Sequence, residues 1–219
     1  MNEVAEYLER LRNRLDAGVL LVAVSKRQPI EKLFSAYEAG QRDFGENKVQ
    51  ELVEKQPQMS SDVRWHMIGH LQTNKVKYIA PFIHLIHSVD SLKLLKEVDK
   101  RARQNDRVIG VLLQMSIAQE STKTGMDESL LEEILQRSDQ GEWPNINIQG
   151  LMGMATNTPD EDQIRKEFRD LNRMFQDMRK AGFDLGILSM GMSGDLQIAQ
   201  EEGSTMVRVG TAAFGPRNY

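Results

Sequence analysis

Val4, Leu8, Leu11 and Leu15 recur at helical spacing and predict an amphipathic opening helix. Beyond them, short apolar runs alternate with longer amphipathic stretches. The runs at 20–24, 42–46, 63–69, 83–89, 107–117, 146–154, 185–191 and 205–210 read as strands. The stretch 29–40 reads as a helix that begins near Pro29 and stops at Gly40. "NKVQELVEKQ", "TNKVKYIA", "LKLLKEVDKRARQ" (capped by Ser91), "DESLLEEILQRS" and "DLQIAQEEG" read as further helices. Thr158, Pro159 and Glu161 form a capping-box pattern. The helix after it buries Ile164, Phe168, Leu171, Phe175 and Met178 and stops at Gly182.

Eight strands with a helix between each successive pair demand a parallel sheet. Eight such units close into a (β/α)8 TIM barrel with an extra N-terminal helix, one domain over residues 1–219. A doubly wound open sheet is the competing fold. It wants a glycine-rich first turn, and the turn after the first strand is "SKRQP", without glycine.

Composition narrows the classes. The net charge is −4, an ordinary soluble surface that argues against a nucleic-acid partner. Cysteine is absent, so disulfides and thiolate metal sites are excluded. The opening "MNEVAEYLERLRNRL" is a charged amphipathic helix rather than a signal peptide, and no apolar run is long enough to cross a bilayer. The expectation is a cytoplasmic protein with no membrane partner.

In a barrel, chemistry sits at the C-terminal strand ends. Strand 1 ends in Ser25–Lys26, and strand 2 in Glu46–Asn47. Leu20, Val22, Val24 and Lys26 share one face of the first strand. In the last strand Val207 and Val209 suit the helix-facing outside, so Arg208 points into the barrel. A lysine and an arginine facing one interior need an anion or an electron-rich partner. "GMSGD" after strand 7 holds Ser193 and Gly194, and "VGT" after strand 8 holds Gly210 and Thr211. A plain helix cap is one reading of Ser193. Its place beside Gly210–Thr211, in the habitual barrel phosphate loops, favours a phosphate seat.

A phosphate seat, a buried lysine and an inward arginine are what pyridoxal 5′-phosphate needs. The Lys26 amine would form a Schiff base with its aldehyde, its pKa lowered by desolvation and a nearby cation. Arg208 would face the pyridine nitrogen and keep it unprotonated, which makes the ring a poor electron sink.

"VAVSK", "FGENKVQE", "WHMIGHLQTNK", "HSVDS", "STKTG", "GLMGM", "LSMGMSGD" and "GSTMVRVGTAAFG" span almost the whole chain. Together they closely resemble the pyridoxal phosphate homeostasis proteins (YggS/PROSC type), which are similar to the barrel half of the alanine racemase fold. The resemblance implies pyridoxal phosphate on Lys26 and a phosphate seat from Ser193, Gly194, Gly210 and Thr211. It implies Arg208 at the ring nitrogen, and Asn47 and Met192 lining the cofactor. It also implies a role in vitamin B6 and amino-acid balance without robust catalysis. One departure stands out. Where the family leads us to expect a second acidic residue and an alanine-rich helix after "MS", this chain has Gly194 and "LQIAQ".

An alanine racemase takes its second base, a tyrosine, from an added β-domain of a partner subunit. None of Tyr7, Tyr37, Tyr78 and Tyr219 falls at a strand end, and Tyr219 lies just beyond strand 8. The expectation is therefore a monomeric cofactor holder, with pyridoxal-phosphate-dependent apoenzymes as possible acceptors. A weak racemase using the same cofactor and a cofactor-free Schiff-base aldolase on Lys26 stay open. His66, His70, His84 and His87 lack helical metal-ligand spacing, so structural roles are favoured. Lys123 reads as a surface lysine, with a transient cofactor contact as the minority alternative. Met115, Met152, Met154, Met190 and Met192 read as packing, with Met192 the best cofactor neighbour.

Overall fold

A computed structural model describes residues 3–118 and 125–215. Lys123 and Tyr219 lie outside the described residues. Eight parallel strands close into a barrel in sequential order. They are β1 (Leu20–Val24), β2 (Asp43–Glu46), β3 (Arg64–Met67), β4 (Leu85–Val89), β5 (Ile109–Gln114), β6 (Ile146–Met152), β7 (Ile187–Ser189) and β8 (Met206–Val209). β1 closes the barrel against β8, with Val22 opposite Arg208 and Ala23 opposite Val209. The open doubly wound sheet is excluded.

The helices are α1 (Glu3–Arg12), α2 (Ile30–Glu38), α3 (Val49–Lys55), α4 (Val76–Ile79), α5 (Leu92–Gln104), α6 (Glu128–Asp139), α7 (Glu161–Lys180), α8 (Leu196–Glu201) and α9 (Thr211–Phe214). Ser91 caps α5, accepting from Leu94 N–H. The capping box proposed at Thr158 is corrected. The Thr158 hydroxyl accepts from Asp160 N–H, so Asp160 becomes the cap and accepts from Gln163 N–H. The five apolar residues expected on α7 are buried, joined by Glu167, which receives both the backbone N–H and the hydroxyl of Thr156.

Strand alternation sorts the side chains into two cores. Val22, Leu85, Leu112, Met152 and Met206 fill the bore. Leu21, Ala23, Val207 and Val209 belong to the larger core between strands and helices. Arg208 therefore shares the inward face with Val22, as its parity requires. Helix α1 packs against α9 and α2, and its C-terminal end lies by the barrel's N-terminal mouth, where Arg12 donates to Ala39 O and, just beyond the helix, Asp16 N–H donates to Gln200. Among the described residues, no helix is long and apolar enough to cross a membrane.

Candidate functional site

A cavity of about 330 Å³ opens at the C-terminal ends of the strands. That is within the usual size of small-ligand sites, about 300 to 1,000 Å³. Val24 lines it from β1, Lys26 from the turn after β1, and Asn47 from just beyond β2. Met192, Ser193 and Gly194 line it from the loop after β7. Arg208, Gly210 and Thr211 line it from β8 and its following turn. All eight residues singled out in the sequence thus share one wall. Ile68 and Met154 complete the lining. Met154 was read as packing alone, but it also faces the cavity.

Lys26 stands in a tight turn. Gln28 N–H donates to Ser25 O at 3.0 Å, and Arg27 adopts the left-handed φ of 58°. That conformation is sparsely populated for a side chain larger than glycine. The residues that hold it lie behind the strand. Arg27 N–H donates to Glu51 at 2.7 Å, and Lys55 Nζ donates to Ser25 O at 2.8 Å. Lys55 also pairs with Glu46 at 2.7 Å and Glu51 at 3.0 Å, while Ser25 Oγ donates to Glu46 at 2.7 Å. Glu46 is fully buried, and its Oε2 lacks a hydrogen-bond partner among the described residues. Burial pushes its carboxyl up to about 7, although Lys55 and Ser25 pull the other way. Sequence reading passed over this cluster. The available signal was the Glu51–Lys55 spacing of four on α3, which places both side chains on one helix face.

Two glycines set the loops. Gly191 has φ of 98°, and a Cβ there would meet Ala199 Cβ at 2.6 Å. Its carbonyl accepts from Arg208 N–H at 3.0 Å, which ties the β7 loop to β8. At Gly69, a Cβ would sit 2.8 Å from Asn47 Cα, so the missing side chain lets the Asn47 turn pack. The loop "GMSGD" leads into α8 through Asp195, whose carboxylate accepts from Met192 N–H at 2.6 Å. Ser193 is therefore not the helix cap. Because α8 has only six residues, the small-residue turns carry the phosphate reading rather than a long helix dipole.

Arg208 is buried. It donates from Nη1 to Ser189 Oγ at 2.6 Å and from Nη2 to Gly153 O at 3.1 Å. Burial pulls it down to about 10, with Asp195 opposing, so the guanidinium stays charged at neutral pH. The histidines divide between two places. His66 and His87 are hydrogen-bonded to each other in the bore, and His84 stacks edge-on against His66. His70 is exposed, 3.6 Å from Asp90.

The family model of the alanine racemase N-terminal domain matches residues 1–218. The pyridoxal phosphate homeostasis protein of Aquifex aeolicus is 37% identical over 100% of this chain and 97% of its own length. That of Escherichia coli K12 is 33% identical over 100% and 99%. PipY of Synechococcus elongatus, solved with pyridoxal phosphate bound, superposes with a TM-score of 0.89 at 35% identity, over 97% of this chain and 100% of that one. Alanine racemase of Clostridium difficile shares the fold, with a TM-score of 0.81 at 15% identity. All of this chain matches 58% of that one. A closed eight-stranded barrel with this cavity, matched along its whole length by these relatives, places the chain in the pyridoxal phosphate homeostasis protein family.

Proposed function

We propose that this protein binds pyridoxal 5′-phosphate in the strand-end cavity, held as a Schiff base on Lys26. In this reading it serves cytoplasmic vitamin B6 and amino-acid balance as a monomer, without robust turnover. The observation that carries the reading is the cavity that Lys26 and Arg208 line together. Val22 and Arg208 are register partners on adjoining strands, Val24 follows Val22 on the same face of β1, and Lys26 reaches the cavity from the turn beyond it.

The residues present fit the group. An amine suits its aldehyde, and the turns at Ser193–Gly194 and Gly210–Thr211 suit its phosphate. Arg208 suits its ring nitrogen, and Met154, Met192 and Ile68 suit its apolar faces. When bound, the cofactor supplies an electrophilic aldehyde and a conjugated ring. The chain's part is to orient that aldehyde at Lys26 and to keep a cation at the ring nitrogen.

What supports limited turnover in this reading is the exposure of the cavity, with Met192 39% exposed at its rim. An open, wet site weakens electrostatic stabilisation of a developing charge. The test is to incubate the loaded protein with a pyridoxal-phosphate-dependent apoenzyme and follow recovery of that enzyme's activity. Alanine racemisation by the loaded protein is measured in parallel. Transfer without appreciable racemisation supports a carrier. Sustained racemisation supports a weak racemase instead.

A further inference from the structure

A continuous chain of buried polar groups runs through the bore beneath Arg208. Arg208 Nη1 donates to Ser189 Oγ at 2.6 Å, and Ser189 Oγ lies 3.2 Å from His87 Nδ1. His87 Nε2 lies 2.9 Å from His66 Nδ1, and His66 Nε2 lies 3.0 Å from Asp43 Oδ1. Asp43 ends the chain at the opposite mouth, where Arg64 grips its carboxylate with two hydrogen bonds. Asp43, His66, His87 and Ser189 are all buried. They come from β2, β3, β4 and β7, so the chain crosses the barrel from wall to wall. A hydrophobic bore would be simpler to pack, and an unsatisfied member of a buried polar chain is destabilising.

The end groups dictate its polarity. Burial pushes the Asp43 carboxyl up, but its hydrogen bonds to His66 and Arg64 outweigh this and hold it down at about 2. An ionised carboxylate only accepts, so His66 donates from Nε2. With His66 Nδ1 then free to accept, His87 donates from Nε2. His87 Nδ1 in turn accepts the Ser189 hydroxyl proton, which leaves a Ser189 lone pair for Arg208. Each contact from Asp43 to Arg208 then joins one donor to one acceptor. The reverse arrangement, with His87 protonated at Nδ1, occupies Ser189 with two donors and leaves its proton with no acceptor among these groups. It also requires a doubly protonated His66.

We propose that Asp43, His66, His87 and Ser189 are positioning residues, a polarised hydrogen-bond chain that fixes Arg208 and links charge at the far mouth to the cofactor's ring. The link to the ring rests on the cavity holding pyridoxal phosphate. Two of the five guanidinium N–H donors are committed to Ser189 and Gly153, which orients the rest of the group in the cavity it lines. Charged and titratable groups around the chain are Arg64 at Asp43, with Asp62 beyond it, and Arg12, Asp16 and Arg42 around the mouth cavity. His84 lies against His66 with Arg107 near it, and Asp195 acts on Arg208 at the other end.

The first test is nitrogen-15 NMR of the histidine rings in the full, cofactor-free chain at neutral pH. The proposal predicts that His66 and His87 are both protonated at Nε2 only. A proton on His87 Nδ1, or a doubly protonated His66, overturns it. The second test loads pyridoxal phosphate into wild type, Ser189→Ala and Asp43→Asn. Ser189→Ala is expected to weaken binding about threefold or more. Asp43→Asn, remote from the cavity, is expected to move the pH midpoint of the bound chromophore's absorbance by about half a unit. Unchanged affinity and midpoint in both variants overturn the coupling. Failure of the wild type to load would instead remove the cofactor reading, and the NMR result would still decide the polarity.

Discussion

Lys55 Nζ lies 2.7 Å from Glu46 Oε1, in a buried pair behind the strand that carries Lys26. The same amine grips Ser25 O, the carbonyl on which the Lys26 turn closes. Lys55→Met removes the cation and leaves Glu46 buried without it. Breaking a buried pair from one side costs about 3–5 kcal/mol. For a chain of this length, that corresponds to a fall in Tm of about 10 °C. Calorimetry of the variant checks this. Glu46→Gln, which keeps an acceptor and sheds the charge, is expected to cost clearly less.

The raised carboxyl of Glu46 gives a pH signature. In the folded protein this group holds its proton up to about 7, against an ordinary value of 4.5. Between those values the folded state binds more protons than the unfolded state, so this group's contribution to stability falls as pH rises. Urea denaturation of wild type and Glu46→Gln, from about pH 4 to about pH 8, should show that decline only in the wild type. Parallel pH profiles would contradict it.

His87 acts with the opposite sign. Burial, and then His66 and Arg208, hold its ring well below the ordinary 6.5. The unfolded chain therefore takes up a proton below about pH 6.5 that the folded chain refuses, so stability falls as pH drops there. Asp43 adds a second acid-side loss. Its contribution, about 2–3 kcal/mol, is present above its ordinary 3.8 and disappears as pH falls through about 2. In Asp43→Asn the acid limb of the stability profile should shrink by that amount.

Gly191 and Gly194, three residues apart in the loop after β7, predict opposite responses to alanine. At Gly191 the left-handed φ and the 2.6 Å approach to Ala199 leave no room for a Cβ. Gly191→Ala is expected to cost about 1–3 kcal/mol and to weaken pyridoxal phosphate binding through the displaced loop. At Gly194 nothing lies within 4 Å of the Cβ position. Gly194→Ala is expected to stay within about 0.5 kcal/mol of wild type. Equilibrium unfolding of the two variants side by side checks the contrast.

The barrel was legible because the hydrophobic period switches between two and 3.6 at every strand–helix boundary. Strand parity also placed Arg208 on the inner face, while Lys26 reaches the same cavity from a turn beyond the end of β1, and small-residue turns marked the loops after β7 and β8. The chain from Arg208 to Asp43 was not legible. His66, His87 and Ser189 are single polar residues in apolar strands, and Ser189 meets His87 across 102 positions of sequence only when the barrel closes. The Glu46–Lys55 pair escaped for a related reason. Glu46 was read at the functional end of β2, while the fold turns its side chain outward against α3. Thr158 was misplaced as a cap because two neighbouring side chains, Thr158 and Asp160, can each accept from the same turn.

The proposed Schiff base joins the Lys26 amine, at the lip of β1, to the aldehyde of pyridoxal phosphate. The most direct measurement is the visible spectrum of the protein purified without added cofactor and after loading, followed by borohydride reduction and peptide mass mapping. A Schiff-base absorbance band and a pyridoxyl-phosphate adduct on Lys26 are expected, both lost in Lys26→Ala. A protein that stays colourless after loading, or an adduct on another residue, would contradict it and bring a cofactor-free Schiff-base aldolase forward.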